Sequence, residues 1–486
     1  MYSCGPTVYS HPHIGNFRSF IAADILRRYL EYQGYEVKQV MNITDVGHMT
    51  TDDAVGGGAG EDKIQAAARR EKKTPWEIAR FYEQEFLELS RLLNLKPAFV
   101  YPRATEHIPE MIDLIKKLIE RNFAYEVNGN VYYDIVKFKN YGQLSGNTLA
   151  NLMAGARIEV NLDKHNPLDF ALWKQDQKHL MQWDSPWPIP GGQGKGKGFP
   201  GWHIECSAMS MKYLGNDIDI HTGGEDNIFP HHESEIAQSE AAHGKKFVHY
   251  WFHVRHLLVN NQKMSKSLGN FYTVRDIVAR GYHPLVLRYA LSNTHYRQPL
   301  NFTLESLKSA SHALQRLRDF KQMLSEKKKE RVESSQKKIG CLIEKSVLKL
   351  IDTTKQNFET ALDDDLNISE ALAAIFDLVR EINKLDLNPG EAEATYQLIN
   401  KLDSIIGVLG VSETGEVSET ENIPENVLYV LKSGDLSKEV ENLIGERNQA
   451  RQDRDYQRAD QIRQQLKEIG VVLEDTPQGV RWKKIL

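Results

Sequence analysis

Residues 1–45 constrain the fold of this chain more than any other stretch, because their residue pattern changes from that of a strand to that of a helix and back. A β-like start at 1–3 is followed by a turn, and apolar residues at helical spacing run from about residue 17 to residue 32. Gly34 lies where a helix C-terminus favours glycine, and 36–43 have the composition of a second strand. A strand–helix–strand unit of this kind predicts a parallel α/β sheet.

The rest of the chain predicts further domains, since 486 residues exceed what one hydrophobic core organises. A hairpin is expected at 123–133, around Asn128-Gly129. After a loop at 188–200, short strands at 201–207 and 217–221 would resume the sheet. Helical patterns occupy 75–95, 106–122, 304–330, 340–363, 368–384 and 392–409.

Composition excludes several classes of protein. No apolar run approaches the roughly 18 to 20 residues that a membrane-spanning helix needs, and residues 1–20 lack the basic start and apolar core of a secretory signal. Three cysteines, an odd and small number, argue against a disulfide framework. The net charge of −5 leaves an RNA partner open, because local patches bind phosphate. We expect a cytoplasmic protein without a membrane partner.

Two short motifs suggest phosphate chemistry. His13, Gly15 and Asn16 precede the first helical pattern, where free N–H groups and the helix dipole favour polyphosphate, although such residues alone are more typical of a surface turn. Lys263 and Lys266 belong to the segment KMSKS, a cationic loop that can neutralise charge at an α-phosphate and is otherwise typical of a solvated turn. The glycine-rich stretch 54–61 lacks the Gly-Lys-Ser/Thr ending of a phosphate loop, so we predict a surface loop.

Together, the two motifs resemble the class I aminoacyl-tRNA synthetases, in which HIGH-type and KMSKS elements flank ATP. The resemblance implies a Rossmann-type parallel-sheet catalytic domain split by an insertion, an all-α helical bundle and a small C-terminal α+β module. It also implies Mg²⁺ with ATP, ATP contacts from the first motif and Lys266, and a catalytic role for Lys263. The implied catalytic and ATP-binding residues are His13, Gly15, Asn16, Lys263 and Lys266.

A candidate metal-ligand set combines two thiols with an imidazole and a carboxylate: Cys4, Cys206, His231 and Glu235. His231 and Glu235 would lie four residues apart on one helix face. His232 pairs at the same spacing with the apolar Ile236 and is the weaker candidate. These donor types suit tetrahedral zinc. Without other signals, however, such residues are more typical of buried thiols and of a His–Glu pair on a helix.

Longer segments resemble the cysteinyl-tRNA synthetase family over nearly the whole chain. They begin at Cys4 (CGPTVY), Gly201 (GWHIECSAM), His221 (HTGGEDNIFPHHESEIAQS) and Lys263 (KMSKSLGNF). The resemblance implies one zinc ion per subunit on the four candidate ligands. A borderline-soft ion would favour a substrate thiolate over the hydroxyl of serine, which makes a proofreading domain unnecessary. The implied pocket for L-cysteine is lined by Gly5, Thr44, Trp202 and Asp226.

The C-terminal stretch suggests an RNA-binding module. Four arginines spaced by three or four residues predict one amphipathic helix with a basic face, a pattern that is also typical of a solvated helix: Arg447, Arg451, Arg454 and Arg458. The family resemblance extends through this end and implies an anticodon-binding domain for tRNA(Cys). Candidate contacts are Asp460, Asp475 and Trp482, the last by base stacking. We expect a monomer.

The resemblance also divides the chain into segments. These are the first half of the catalytic domain (1–96), a connective-peptide insertion (97–195), the second half (196–262), the KMSKS loop and stem-contact region (263–303), the helical bundle (304–411), a linker (412–425) and the anticodon-binding domain (426–486). Two features depart from the family. The sequence begins at its Met-Tyr-x-Cys element, so either the usual opening strand is missing or the start has been set late. The stretch 46–61 is longer and richer in glycine than the usual Thr-Asp-x-Asp-Asp-Lys continuation. We expect an altered sheet edge and an altered loop near the pocket.

Two other functions compete. The cysteine ligase of mycothiol synthesis resembles the catalytic half and joins activated cysteine to an amino sugar, but residues 426–486 weigh against it. An RNA-binding paralogue that has lost adenylation would not need the intact motifs and ligand set. The sequence therefore favours the activity that the resemblance implies, which is adenylation of cysteine with ATP and transfer to the 3′-terminal adenosine of tRNA(Cys).

Overall fold

The computed structural model describes residues 1–52, 60–149, 151–152, 162–189, 195–265, 268–333, 343–410, 443, 445–447, 449–451, 455–468, 471–476 and 479–484. The chain forms two compact units. The first unit comprises Met1–Arg91, Leu95–Leu258 and Tyr296–Leu300, and the second comprises Leu92–Asn94, Val259–His295 and Asn301–Leu486. Among the described residues, no helix combines the length and the apolar character that crossing a bilayer requires.

The first unit combines strands and helices, with strand–helix alternation at its start and again after β7. Its elements are β1 (Tyr2–Ser3), α1 (Ile14–Tyr32), β2 (Val40–Met41), α2 (Lys63–Glu71), α3 (Pro75–Leu92), α4 (Ile108–Glu120), β3 (Ala124–Val127), β4 (Asn130–Tyr133), β5 (Phe170–Gln175), β6 (Trp183–Pro188), β7 (Lys195–Pro200), α5 (Trp202–Leu214), β8 (Ile218–Gly224), α6 (Glu233–His243) and β9 (Val248–Val254). A π-helical turn at Ile228–His232 leads into α6.

A parallel four-stranded sheet in the order β2-β1-β8-β9 confirms the predicted fold class. Tyr2 of β1 lies opposite Val40 on one side and His221 on the other. The backbone N–H of Cys4 donates to the carbonyl of Thr222 at 2.9 Å, so the ends of β1 and β8 meet. In open parallel sheets of this kind, ligands bind outside the carboxyl ends of the strands.

Helix α1 begins earlier than the apolar pattern predicts. His13 is its N-cap, and the His13 side chain accepts from the backbone N–H of Asn16 while the Asn16 side chain accepts from the backbone N–H of His13. This reciprocal pair closes the first turn, since both otherwise unpaired donors find acceptors. The motif therefore forms the start of the helix instead of preceding it.

Between β2 and α5 the chain forms a second sheet, in the order β3-β4-β5-β7-β6. Its β3–β4 hairpin confirms the prediction for 123–133. The loop predicted at 188–200 is wrong for 195–200, which form β7 and pair with β5 and β6. The glycines of 195–200 favoured a loop, but Gly198 packs so closely that a Cβ there would lie 2.4 Å from the carbonyl oxygen of Lys174.

The strand predicted at 201–207 is also wrong, because Trp202–Leu214 form helix α5. Residues 203–210 are all buried, so the sequence has no polar face to mark a helical period. Gly201 is the N-cap of α5, and a Cβ there would lie 2.0 Å from the carbonyl oxygen of Ala171. The strand predicted at 217–221 is confirmed as β8.

The second unit is mainly helical. Its elements are β10 (Leu257–Val259), which begins at the end of the first unit, β11 (Gln262–Lys263), α7 (Val274–Ala279), α8 (Pro284–Ser292), β12 (Leu300–Phe302), α9 (Leu304–Glu333), α10 (Lys345–Asp363), α11 (Ile368–Ile382), α12 (Pro389–Ile406), α13 (Tyr456–Glu468), β13 (Val471–Thr476) and β14 (Gly479–Lys484). The long helices match the predicted patterns. Buried Arg288 of α8 donates to the carbonyls of Ile406, Leu93 and Asn94.

Residues 443–484, called here the C-terminal module, depart from the predicted single arginine helix. Residue 455 is not helical, and its side chain accepts from the backbone N–H of Arg458 at 3.0 Å, which starts α13. Arg447 is buried, so it does not extend a solvated basic face. Residue 454 and most of the predicted loop and linker segments, 53–59 and 412–425, lie outside the described residues.

Candidate metal centre and amino-acid pocket

The four candidate ligands come together at the carboxyl end of the parallel sheet. Cys4 follows β1, Cys206 lies in α5, His231 lies in the π-helical turn and Glu235 lies in α6. One donor atom from each of the four lies within 4.8 Å of every other. Cys206, His231 and Glu235 are buried, and Cys4 is half-buried. Cys206 packs in a core cluster with Tyr2, Val40 and Phe247, so the sheet itself fixes the position of the thiol.

The electrostatics of this cluster suit a cation. Burial raises the pKa of Glu235 and that of Cys4, and it raises the pKa of Cys206 well above the usual value for a thiol. Neutral groups are therefore favoured in the metal-free cluster. A bound divalent ion would reverse this preference, since it stabilises thiolate and carboxylate.

A second, overlapping ligand set escaped the sequence analysis: Cys4, His221, His232 and Glu235. The Sγ of Cys4 lies 3.2 Å from Nε2 of His232, and Nε2 of His221 lies 3.0 Å from Oε2 of Glu235. His232 was set aside because Ile236 follows it at helical spacing. That reasoning considered partners on the same helix only, whereas His232 contacts Cys4 and also His253, whose Nε2 lies 2.8 Å from its Nδ1. His221 could have been found from its strand position, opposite Tyr2 and beside Cys4.

The donor set fits zinc, whose protein ligands are thiolates, imidazoles and carboxylates. Metal-binding histidines usually have a second partner that orients the ring, and Nδ1 of His231 lies 2.9 Å from Nδ1 of His203. Buried Glu235 likewise contacts both His221 and His231, the latter at 3.3 Å from Oε1. His203 is a further residue that the sequence analysis did not single out.

Two of the expected pocket residues follow neighbouring strands: Gly5 follows β1, and Thr44 follows β2. The hydroxyl of Thr44 donates to Oε2 of buried Glu205 at 2.9 Å and accepts from the side chain of Asn42 at 3.1 Å. The backbone N–H of Gly5 donates to Oδ1 of Asn42 at 2.8 Å, and a Cβ at Gly5 would lie 1.8 Å from the carbonyl oxygen of Asn42. Burial raises the pKa of Glu205 well above its usual value. Gly5 therefore permits a close backbone approach beside the metal cluster.

The other two pocket residues occupy different environments. The Trp202 ring contacts the ring of the candidate ligand His231, with centroids 4.2 Å apart. Trp202 also stacks on His48, which the sequence analysis did not identify. Asp226 is exposed and lies in the short 3₁₀ turn Glu225–Asn227, which precedes the π-helical turn. Trp202 is thus in direct contact with the metal cluster.

The expected phosphate-binding residues lie in both units. His13, Gly15 and Asn16 form the first turn of α1, as described above. Lys263 is exposed at the end of β11, in the second unit. Lys266 lies outside the described residues.

The expected anticodon residues belong to the C-terminal module. Asp460 is exposed on α13. In the antiparallel pair β13–β14, Asp475 lies opposite Val480 and Trp482 lies opposite Leu473. All three candidates therefore occupy one compact stretch of helix and hairpin.

Family models match the chain in three places. The tRNA synthetases class I (C) catalytic domain matches residues 1–312, the DALR domain matches 357–412, and the cysteinyl-tRNA ligase anticodon binding domain matches 433–482. Among solved structures, methionyl-tRNA synthetase of Mycobacterium tuberculosis with methionyl-adenylate has a TM-score of 0.57 at 13% identity and covers 84% of this chain and 89% of that one. A ternary complex of Agrobacterium radiobacter K84 agnB2 LeuRS-tRNA-LeuAMS has a TM-score of 0.59 at 12% identity, with 84% of each chain covered. These structures show a shared fold.

Curated relatives match over the full length. The cysteine–tRNA ligase of Clostridioides difficile (strain 630) is 44% identical over 100% of this chain and 95% of its own length. The corresponding ligase of Koribacter versatilis (strain Ellin345) is 42% identical with the same coverage. With the match of the catalytic-domain model, this similarity shows that the chain belongs to the cysteine–tRNA ligase family of class I aminoacyl-tRNA synthetases.

Proposed function

We propose that this protein is a cysteine–tRNA ligase. It activates L-cysteine with ATP to form cysteinyl-adenylate and pyrophosphate, and then transfers cysteine to the 3′-terminal adenosine of tRNA(Cys). The observation that carries the proposal is the convergence of Cys4, Cys206, His231 and Glu235 within 4.8 Å beside the parallel sheet. The matched anticodon-binding model favours this function over an amino-sugar ligase, and the intact ligand set favours it over an inactive paralogue.

The zinc-binding residues of the proposal are Cys4, Cys206, His231 and Glu235. When bound to these residues, zinc would supply a borderline-soft Lewis acid that suits a substrate thiolate better than the hydroxyl of serine. The chain's own contribution is to bury these donors and to line the pocket with Gly5, Thr44, Trp202 and Asp226. Contacts between Trp202 and His231 and between Thr44 and Glu205 support that lining.

In the first step the cysteine carboxylate attacks the α-phosphate of ATP in line, and the bond to the leaving pyrophosphate breaks; Mg²⁺ bound with ATP would help to neutralise the charge on the phosphates. His13, Gly15 and Asn16 contribute the N-terminal turn of α1, whose N–H groups and dipole favour phosphate. Lys263 and Lys266 are proposed to neutralise the charge that develops on the phosphates. Catalysis in this step rests on positioning and electrostatics rather than on a dedicated general base.

The second step requires the tRNA, whose terminal hydroxyl attacks the carbonyl carbon of the adenylate, so that the ester bond to tRNA forms as the anhydride bond breaks and AMP leaves. We assign the acceptor stem to 263–303, further tRNA contacts to the helical bundle 304–411, and the anticodon to 426–486. Asp460, Asp475 and Trp482 are the proposed anticodon-side residues. The enzyme is proposed to act as a cytoplasmic monomer, with the insertion 97–195 and the linker 412–425 joining these parts.

The decisive experiment is ATP–pyrophosphate exchange by the full chain with cysteine or serine, together with metal analysis. Exchange that depends on cysteine, with kcat/KM for serine lower by at least about 10³-fold, and one zinc per chain are expected. A preparation that contains zinc but shows equal exchange with both amino acids would contradict selection through the thiol. A chain that binds tRNA(Cys) without any exchange would support the inactive paralogue.

A further inference from the structure

The segment that departs from the family pattern packs directly against the start of α5. Gly47 has a positive φ of 78°, and a Cβ there would lie 2.5 Å from the carbonyl oxygen of Pro200. Its backbone N–H donates to Oδ2 of Asp62 at 2.8 Å. This close approach needs glycine and brings the next residue, His48, to the side chain of Trp202.

The His48 ring lies face to face with Trp202. Their centroids are 4.0 Å apart and their planes differ by only 8°. His48 is buried, so the stack is shielded from water. Trp202 in turn contacts the ring of His231 with centroids 4.2 Å apart. A continuous series of ring contacts therefore links His48 to a candidate zinc ligand.

Two polar contacts fix the orientation of the His48 ring. Nζ of Lys63 lies 2.6 Å from Nε2, and Oγ1 of Thr7 lies 2.9 Å from Nδ1. An ammonium group can only donate, so Nε2 accepts from Lys63 and Nδ1–H donates to Thr7. The ring is therefore a neutral imidazole whose tautomer and plane are set by its neighbours.

The Thr7 anchor connects this ring to the amino-acid pocket. Thr7 pairs in parallel with Thr44 through an isolated β-bridge, and the backbone N–H of Val8 donates to the carbonyl of Thr44 at 3.1 Å. The backbone N–H of Lys63 donates to the carbonyl of His48 at 3.0 Å, so the second anchor also joins the segment to α2. His48 thus joins the segment after Cys4 to the ring of Trp202.

We propose that His48 is a positioning residue that holds Trp202 against His231 and thereby sets the affinity of the pocket for cysteine. This role rests on the proposed function. A side chain that shapes a binding pocket loses affinity when its own orientation is no longer fixed, because part of the binding free energy then goes into ordering it. The ring stack and the two polar contacts are separable by mutation.

The experiment measures cysteine-dependent ATP–pyrophosphate exchange by the full chain. His48→Ala removes the stack and both polar contacts, His48→Phe keeps a ring on Trp202, and His48→Gln keeps polar atoms without a ring. The matched control is His165→Ala, since exposed His165 also stacks on an aromatic ring, that of Tyr125, with centroids 3.7 Å apart and planes 10° apart. The four variants separate pocket positioning from loss of any histidine–aromatic stack.

For His48→Ala we expect the KM for cysteine to rise about three- to tenfold, in line with the typical strength of an aromatic pair, while kcat changes less than about twofold. His48→Phe should recover part of the KM, and His165→Ala should leave it unchanged. In a Trp202→Ala background, His48→Ala should add little further change, because the two residues act through one contact. The near-ultraviolet circular dichroism difference caused by His48→Ala in the metal-free chain should also vanish in that background.

Additive effects of His48→Ala and Trp202→Ala on KM would overturn the positioning role, as would an unchanged KM in all His48 variants that fold. Should His48→Ala fail to fold, the His48→Phe and His48→Gln variants provide the same comparison. If the unmodified chain shows no cysteine-dependent exchange, the proposed function itself fails, and the role of His48 fails with it. If the parent is active and the His48 variants keep its KM for cysteine, only the role of His48 is refuted, and the proposed function stands.

Discussion

The candidate metal centre and the C-terminal module arrange their polar groups in opposite ways. In the centre, donors from three distant stretches are buried and lie within 4.8 Å of one another. In the module, Asp460 is exposed, and Arg458 pairs with Glu446 at 3.3 Å with 47% and 57% of their side chains exposed. Water can replace a lost partner in the module but not in the centre. Mutations should therefore have large effects in the centre and small ones in the module.

The largest effect is expected for Cys206→Ser. The hydroxyl is a poor zinc ligand, and residues that merely orient ligands already cost about 10- to 100-fold, so kcat/KM for cysteine should fall by at least about 100-fold with loss of bound zinc. Metal analysis and exchange kinetics provide the measurement. Cys341→Ser, which changes the one cysteine of the sequence outside the candidate ligand set, is the matched control. If Cys206→Ser kept full zinc occupancy and normal kinetics, mutations in the candidate metal centre would not have the larger effects expected of them.

Next in size is Thr44→Val, which tests burial without touching a ligand. The change keeps the shape of the side chain but removes the donor to Glu205 and the acceptor for Asn42. Leaving buried polar groups unsatisfied costs about 1–3 kcal/mol, so the first unit should unfold at a lower urea concentration. Exposed Thr50→Val is the control. If both variants and the parent unfolded at the same urea concentration, the hydrogen bonds of Thr44 with Glu205 and Asn42 would not contribute to stability.

The sequence predicted the four residues of the candidate metal centre better than the residues that contact them, and the reason is physical. Cys4, Cys206, His231 and Glu235 carry side chains of distinctive chemistry, and the family resemblance singled them out. His221 and His232 escaped because helical spacing describes partners on one helix only, whereas His232 contacts Cys4 and His221 lies on the neighbouring strand β8. The contacts of His48 depend on the close packing of Gly47 against Pro200, which no local pattern records.

The fold shows the same limits. The parallel sheet and the long helices followed from apolar periodicity, whereas α5 was mistaken for a strand because it is buried on every side. The arginine spacing of the C-terminal module suggested one helix, but the cap that Asp455 provides for α13 interrupts it. Local hydrogen-bonding side chains can thus override a regular spacing of charges.

A smaller effect is expected for Trp482→Ala, which tests whether the module binds tRNA(Cys) and not whether it contributes to stability. Stacking of a base on an aromatic ring contributes about 1–3 kcal/mol, so the KM for tRNA(Cys) in aminoacylation should rise about tenfold. Cysteine-dependent exchange should stay unchanged, since it needs no tRNA. Trp482→Phe keeps an aromatic face and should recover most of the affinity. A loss of exchange in Trp482→Ala would mean that the module acts on the catalytic domain instead of on the anticodon.

The smallest effect is expected for Arg458→Ala. Its ion pair with Glu446 is solvent-exposed on both sides, and exposed pairs contribute about 0–1 kcal/mol, because water and salt screen the charges. The free energy of unfolding should therefore change by less than about 0.5 kcal/mol, and the KM for tRNA(Cys) should rise only if the guanidinium also contacts phosphate. Measuring that KM at two salt concentrations separates these roles, since a phosphate contact steepens the salt dependence in the parent relative to the variant. If Arg458→Ala lowered the free energy of unfolding as much as Thr44→Val, the stability of the module would also depend strongly on single polar contacts.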